Sequence, residues 1–257
     1  MNNKDILRIA MEQSVIDFNC SIDNFVNSGN TVVISKLNEG AKKCFKQPHF
    51  CSFAYYGGGL VASVNAQIKE FISEFINAHP DYTSFNTPQL IFLNKELEKY
   101  GKCVCHIAEF FLPDMEKQVE INKNVDVKIV TEDKIPLLYK DDRFHMALGY
   151  NNDSSKKDVL AAVGYINGKI VGVAGASNDC ETMCNVGIDV LPEYRRLGVA
   201  TTLTKILTDE ILNRGMVPFY CTAWSNIPSK NNAIKSGYRN AWVEMAAIDI
   251  DDAMKLL

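Results

Sequence analysis

Apolar residues recur along this chain at helical spacing in some segments and at strand spacing in others. Apolar side chains three and four residues apart predict an amphipathic helix over residues 5–19. The same spacing predicts a helix over 63–80, ended by Pro80, and another over 87–101, with Pro88 in its first turn. Shorter apolar runs predict strands over 31–37, 49–60 and 102–112.

The second half of the chain alternates more densely between the two spacings. Two apolar runs over 159–177 are joined by Asn167-Gly168, a dipeptide that favours a two-residue hairpin turn. Some neighbouring strands can therefore pair as hairpins, while others are separated by helices, which predicts an α/β fold with a mixed, mostly antiparallel sheet flanked by helices. Further strands are predicted at 125–130, 184–190, 218–224 and 240–248, and helices at 199–214 and 228–237.

A polar stretch at 114–124 separates the two halves. A chain of 257 residues is long enough for two domains that each bury a core. We therefore expect an N-terminal α/β domain over residues 1–120 and a second domain over residues 125–257.

Composition narrows the classes of function. The formal net charge of −4 shows no basic excess, so we expect no nucleic-acid partner. No apolar run approaches the roughly 18 residues of a membrane span, and the first residues lack the order of a signal peptide, so we expect a cytoplasmic protein outside the membrane. The cysteines are scattered, and the cluster Cys103-Val-Cys105-His106 falls in a predicted strand, which favours core thiols over a metal site.

The stretch LPEYRRLGVATTL, at 191–203, combines two arginines and a glycine with the start of a predicted helix. The first amides of a helix lack intrahelical partners and lie at the positive end of its dipole. Arg195 and Arg196 supply charged donors, and Gly198 lets the backbone approach a ligand closely. A solvated loop with surface arginines is the alternative, but the strand before it and the amphipathic helix after it favour a phosphate site.

This stretch carries a family resemblance. Arg-x-x-Gly-x-Ala after Val-x-Pro-x-Tyr resembles the pyrophosphate motif of the GNAT acetyltransferase superfamily. Residues 222–239 resemble the next strand and helix of that superfamily, and the extra N-terminal region is similar to that of the GNAT proteins grouped with zwittermicin-resistance acetyltransferases. The residues that match the second motif are Asn226, Ser229, Lys235, Gly237 and Tyr238.

The resemblance implies that acetyl-CoA is the co-substrate, bound where two central strands separate, and it implies no metal. The pantetheine arm would pair with the strand backbone around Ile188 and Val190, and the amide of Val190 would stabilise the oxyanion. Asn226 and Ser229 would contact the pantetheine or the phosphates. The residues implied to cradle the pyrophosphate are Arg195, Arg196, Gly198, Val199, Ala200 and Thr201.

The resemblance also implies a general base and an acid for the leaving thiolate, and here the sequence departs from the family pattern. The base position of some relatives falls near Cys184, and the usual tyrosine position is Ala233. Asp189 and His145 are the candidate catalytic substitutes, each with a structural role as the alternative. Proton transfer through a water chain is a further route in the family. Weaker candidates are Glu181, which a solvated loop also explains, and Tyr220 and Trp224, which line either the acceptor site or the core.

The N-terminal half carries a weak internal similarity. Residues 84–111 share with 224–248 an asparagine, a proline two positions later, a helix and a strand. We interpret residues 1–120 as a degenerate GNAT-like half that no longer binds coenzyme. Two alternatives stay open: an unrelated α/β cap, and a separate phosphate held by glycines 57–59.

The sequence therefore predicts an acetyl-CoA-dependent N-acetyltransferase that acts on a primary amine of a small molecule or peptide, by direct attack in a ternary complex. Exposed sheet edges permit a homodimer. The alternative, favoured by Ala233, is a coenzyme-A-binding regulatory or interaction protein without turnover. A third possibility, an aminoacyl-tRNA donor, is disfavoured by the lack of a basic excess and by the intact arginine-glycine loop.

Overall fold

A computed structural model of the protein describes residues 1–43, 47–149 and 157–256. Helices in the described residues are α1 (Asn3–Phe18), α2 (Asp23–Val26), α3 (Lys69–Ala78), α4 (Thr87–Leu97), α5 (Val199–Asn213), α6 (Ile227–Lys235) and α7 (Ile250–Met254). Strands are β1 (Gly29–Ile34), β2 (Cys51–Tyr55), β3 (Gly59–Val64), β4 (Lys102–Pro113), β5 (Asp126–Thr131), β6 (Asp158–Ile166), β7 (Lys169–Asn178), β8 (Met183–Val190), β9 (Val217–Ala223) and β10 (Tyr238–Asp249).

The chain folds into two compact units that are discontinuous in sequence. The larger unit contains Met1–Ala10 and Phe111–Asn240, and the smaller unit contains Met11–Phe110 and Ala241–Leu257. The chain passes from one unit to the other inside α1, β4 and β10, so no loop marks the change. The domain division at 120–125 that composition suggests stays a prediction. The compact units differ from it, because Met1–Ala10 groups with the second half of the chain and Ala241–Leu257 groups with the first half.

The smaller unit is an α/β structure with its strands in the order β1-β3-β2-β10-β4. β1 pairs with β3 in parallel, whereas β2 pairs antiparallel with both β3 and β10. Its main core lies between this sheet and the helices α3 and α4, and it includes Phe53, Ile72 and Leu93. The predicted helix over 87–101 is confirmed by α4 and the short turn that follows it, which ends at Gly101 with φ 66°.

The glycines at 57–59 correct one interpretation. The sequence pattern predicted a single strand up to residue 60 and then a helix, but Gly57 and Gly58 form the turn of an antiparallel hairpin between β2 and β3. A Cβ at Gly58 or Gly59 would collide with backbone oxygens of residues 24–27, because the hairpin packs directly on α2. The expected passage from this segment directly into a helix is therefore wrong, and the alternative that these glycines hold a phosphate stays a prediction.

The larger unit has its strands in the order β9-β8-β7-β6-β5. β5, β6, β7 and β8 pair antiparallel in sequence, and β8 pairs with β9 in parallel, so the predicted mixed and mostly antiparallel sheet is confirmed. Asn167 and Gly168 form the predicted hairpin turn with φ values of 49° and 75°. The amphipathic face of α5 packs on this sheet through Leu203, Leu207 and Ile211.

Two searches of the described residues give negative findings. None of the helices in the described ranges is long and apolar enough to cross a membrane. Likewise, residues 1–43, 47–149 and 157–256 hold no group of three or more His, Cys, Asp or Glu side chains that could bind a metal ion.

A buried histidine makes the stability of the smaller unit depend on pH. His49 is 8% exposed, and its ring lies 5.7 Å from that of Phe18. Burial lowers the pKa of His49 to about 4, and nearby Asp17 and Lys42 shift it in opposite directions. The histidine is therefore neutral in the folded protein at pH values where it is protonated in an unfolded chain.

We expect His49→Gln to flatten the dependence of stability on pH. Because the folded-state pKa is depressed, the contribution of His49 is present above pH 6.5 and is lost as pH falls toward 4. Between pH 7 and pH 5 the free energy of unfolding should fall by about 2 kcal/mol more in the native chain than in the variant. Urea denaturation at both pH values measures this difference. Replacing the exposed His145 by Gln is the control, and equal pH dependence in all three proteins would contradict the prediction.

Candidate functional site

The central feature of the larger unit is a separation of two neighbouring parallel strands. β8 and β9 are paired at Met183–Val217, Cys184–Pro218 and Asn185–Phe219. Within the described residues the pairing goes no further, although β8 continues to Val190 and β9 to Ala223. The two strands thus enclose a gap that starts at Asn185 and Phe219 and opens toward their carboxyl ends.

The backbone of β8 presents hydrogen-bonding groups to this gap. The amide of Leu191 donates to the carbonyl of Val171 on β7, 3.0 Å away. Successive residues of a strand direct their N–H and C=O groups to opposite sides. Val190 and Ile188 therefore direct these groups away from β7 and toward the gap.

The loop after β8 has the backbone geometry of an anion cradle. Gly198 has φ 77° and precedes the first residue of α5, and Arg196 has φ 63°, so the chain is left-handed at two nearby positions. No side chain of the described residues caps the start of α5, and its first turn contains no acid. The first amides of α5 are thus available to an anionic group.

The side chains of the loop are held in different ways. Arg195 donates through Nε to the carbonyl of Val190 at 3.0 Å, which places its guanidinium beside the mouth of the gap. Arg196 is exposed. Asn122 supports the loop from behind, because its Nδ2 donates to the carbonyl of Leu197 and its backbone amide donates to Oγ1 of Thr202, each at 2.8 Å.

Asn122 was not among the residues that the sequence singled out. It lies in the polar stretch between the two predicted domains, where no motif marks it. Only the folded chain shows that this stretch lies against the loop, since a Cβ at Gly198 would be 3.6 Å from the Cβ of Asn122. Asn122 therefore belongs to the site as a positioning residue.

The other side of the gap is formed by β9 and the start of α6. Asn226 caps α6, since its Oδ1 accepts from the amide of Ser229 at 3.2 Å. The hydroxyl of Ser229 is 2.8 Å from that of Tyr220 on β9. The structure thus brings Asn226 and Ser229 to the strand that borders the gap, as the second motif implied.

The two positions at which the family resemblance implies a base and an acid, Cys184 and Ala233, are buried. Ala233 is fully buried in the core under α5. Cys184 is 1% exposed, and burial raises the pKa of its thiol to about 12, so the thiol stays protonated. Burial also raises the pKa of Tyr220, and the hydrogen bonds with Ser229 and Asn232 offset part of this shift.

Asp189 lies on the opposite face of β8 from Ile188 and Val190. Its Oδ2 accepts from the amides of Met146 and Ala147 at 2.6 and 3.0 Å. The segment with Met146 and Ala147 can lie directly on the sheet because it covers two glycines, Gly175 and Gly187, that are partners in the β7–β8 register. A Cβ on either glycine would collide with the backbone of this segment. The carboxylate of Asp189 thus fixes the segment that carries His145. Its catalytic role stays a prediction.

His145 is exposed, and its Nδ1 is 3.2 Å from the carbonyl of Asp142. Glu181 lies at the other end of β8 from the arginine loop. There it lines a cleft of about 840 Å³ together with Glu132, Ile211 and Met216. The structure therefore brings the loop, β8 and the start of α6 to one gap, and places Glu181 away from it.

A comparison with protein families gives one finding. Residues 129–238 match the model described as the acetyltransferase (GNAT) family. The match begins in β5 and ends at the start of β10, so it includes the gap, the arginine loop and α6. No curated protein matches the chain.

Solved structures give remote similarities. A GNAT-family protein from Novosphingobium aromaticivorans is 17% identical, with 57% of this chain and 66% of that chain covered and a TM-score of 0.40. A GCN5-related N-acetyltransferase-like protein from Streptococcus suis is 18% identical, with 63% and 68% covered and a TM-score of 0.40. A GNAT-family acetyltransferase from Colwellia psychrerythraea is 12% identical, with 79% and 83% covered and a TM-score of 0.42. This chain thus spans just under two thirds of the length of the first of them.

We expect Asp189→Ala to lower the free energy of unfolding by about 1.5–3 kcal/mol, because two backbone amides lose a charged acceptor. Asp189→Asn keeps a carbonyl oxygen at this position and should cost less. Urea denaturation measures the stability, and hydrogen exchange at Met146 and Ala147 reports the contact itself. Native stability and native exchange in the alanine variant would contradict this role for Asp189.

Proposed function

Because residues 129–238 match the model of the acetyltransferase (GNAT) family, we propose that this protein is an acetyl-CoA-dependent N-acetyltransferase. The acceptor is a primary amine of a small molecule or peptide. The observation that carries the proposal is the gap between β8 and β9, which opens beside the uncapped start of α5. The described cysteines are free thiols, which fits a reducing compartment such as the cytoplasm.

The residues around the gap fit the chemical groups of acetyl-CoA. The amides at the start of α5 and the guanidinium of Arg196 suit a pyrophosphate. The backbone edge of β8 suits the amides of a pantetheine arm, which is an extended chain with alternating donors and acceptors. Ile188 offers both of its backbone groups to the arm, whereas the carbonyl of Val190 accepts from Arg195 and leaves the amide of Val190 for the acetyl group. Asn226 and Ser229 supply polar contacts on the β9 side.

When bound, acetyl-CoA supplies the acetyl group as a thioester. An amine that attacks this group needs a donor for the negative charge that develops on the carbonyl oxygen. The amide of Val190 is that donor, because it faces the gap and its own carbonyl is fixed by Arg195. A backbone amide fixed within a strand costs little reorganisation when the charge appears.

Proton transfer would use groups other than the base and acid that the resemblance implies. As the C–N bond forms and the C–S bond breaks, the base would take a proton from the amine, and the leaving thiolate of coenzyme A would take its proton from water. We assign the base to His145, whose segment is held against β8 by Asp189. Tyr220 keeps its proton, because burial raises its pKa, and its hydroxyl shares a hydrogen bond with the hydroxyl of Ser229 at the start of α6. The buried Ala233 favours the second candidate, a coenzyme-A-binding regulatory or interaction protein without turnover.

Calorimetry with acetyl-CoA tests the proposal. We expect the double variant Arg196→Glu, Gly198→Asp to bind at least about 100-fold more weakly than the native chain, because it places negative charge where a pyrophosphate would lie. Arg214→Glu is the matched control, since it reverses a charge near the other end of α5 and should leave the affinity unchanged.

Absence of binding by the native chain would contradict the proposal, and so would equal weakening by the control. Binding without acetylation of any amine in a panel of small amines and peptides would instead support the regulatory candidate. Turnover that is lost in His145→Gln while acetyl-CoA affinity is kept would support the assignment of the base.

A further inference from the structure

An exposed indole lies at the mouth of the gap. The chain has two tryptophans, and they differ in environment: Trp224 is 63% exposed, whereas Trp242 is 2% exposed. Indole has a large apolar surface, so a tryptophan this exposed leaves an apolar surface uncovered. Trp224 follows the last residue of β9 directly.

The position of Trp224 relative to the loop follows from the sheet. β8 and β9 are parallel, so their carboxyl ends lie at the same edge. Both Val190 and Trp224 lie five residues beyond the last paired position, which is about 17 Å along each strand. Trp224 and the loop at 195–198 therefore lie on opposite sides of the open end of the gap in the larger unit.

The turn that carries Trp224 is fixed at both ends. The amide of Asn226 donates to the carbonyl of Ala223 at 2.9 Å, and the side chain of Asn226 caps α6. The turn is also uncharged, since residues 223–229 contain no Asp, Glu, Lys or Arg. It therefore presents a rigid apolar surface opposite a cationic loop.

We propose that Trp224 stacks on the adenine base of the coenzyme. This inference rests on the proposed function, because it takes the arginine loop as the pyrophosphate site. If the start of α5 holds the pyrophosphate, the nucleotide lies at the open end of the gap. The exposed indole of Trp224 is the flat apolar surface on the opposite side of that end. A cationic acceptor amine would instead call for an acid, and the turn contains none.

Tryptophan fluorescence tests the proposal, because the second indole is buried and serves as an internal reference. Coenzyme A should quench the fluorescence of the native chain, and phosphopantetheine, which lacks the base, should leave it unchanged. Trp224→Ala should abolish the quench and weaken coenzyme A binding roughly 10-fold, with the affinity for phosphopantetheine kept. Trp224→Phe should restore most of the coenzyme A affinity.

Ile227→Ala is the matched control, since Ile227 is 54% exposed in the adjacent helical turn and should have no effect on the quench. Equal coenzyme A affinity in Trp224→Ala and the native chain would overturn the stacking while leaving the proposed function in place. Equal weakening of coenzyme A and phosphopantetheine would overturn it as well. Quenching by an amine acceptor and not by coenzyme A would assign Trp224 to the acceptor site and overturn the stacking. No binding of coenzyme A would refute both this proposal and the proposed function.

Discussion

Among the residues that the structure describes, β8 and β9 are paired at three positions, and the facing edges of the two strands have no strand partner beyond them. Backbone amides and carbonyls need hydrogen-bond partners, so an open strand edge inside a sheet requires water or a ligand chain. Val186 and Tyr220, the residues directly after the last pair, are both buried in the core under α5. The core therefore holds both strands where they begin to separate, and the loop at 195–198 and the start of α6 are placed by the strands that precede them.

The two sides of the open end of the gap differ in chemistry, because different segments follow the two parallel strands. β8 leads into a loop with left-handed backbone at Arg196 and Gly198, and this loop directs the uncapped start of α5 to the mouth. β9 leads into a neutral turn, where Asn226 satisfies the start of α6 itself. One helix thus leaves its first amides to an outside anion while the other does not, and this asymmetry fits a ligand with phosphates at one side and a flat base at the other.

Local rules explain what the sequence predicted. Asn167-Gly168 and the start of α5 after Gly198 each depend on residues within a few positions, so their structures follow from the chemistry of turns and helix starts. Long-range contacts explain what it missed. Asn122 behind the loop and the amides bound by Asp189 are distant in sequence, and the passage between units inside β4 leaves no break in composition. The hairpin at 57–59 was missed because glycines occur both in hairpin turns and in loops that lead from a strand into a helix.

We propose that the open edge of β8 holds the pantetheine arm and that the start of α5 holds the phosphates. Hydrogen exchange of the native chain with and without acetyl-CoA tests this at single amides, because an amide that gains a partner exchanges more slowly. We expect slower exchange at Ile188 and Val190 and in the first turn of α5, with the β6–β7 hairpin turn unchanged. Bound acetyl-CoA with unchanged exchange at Ile188 and Val190 would contradict it.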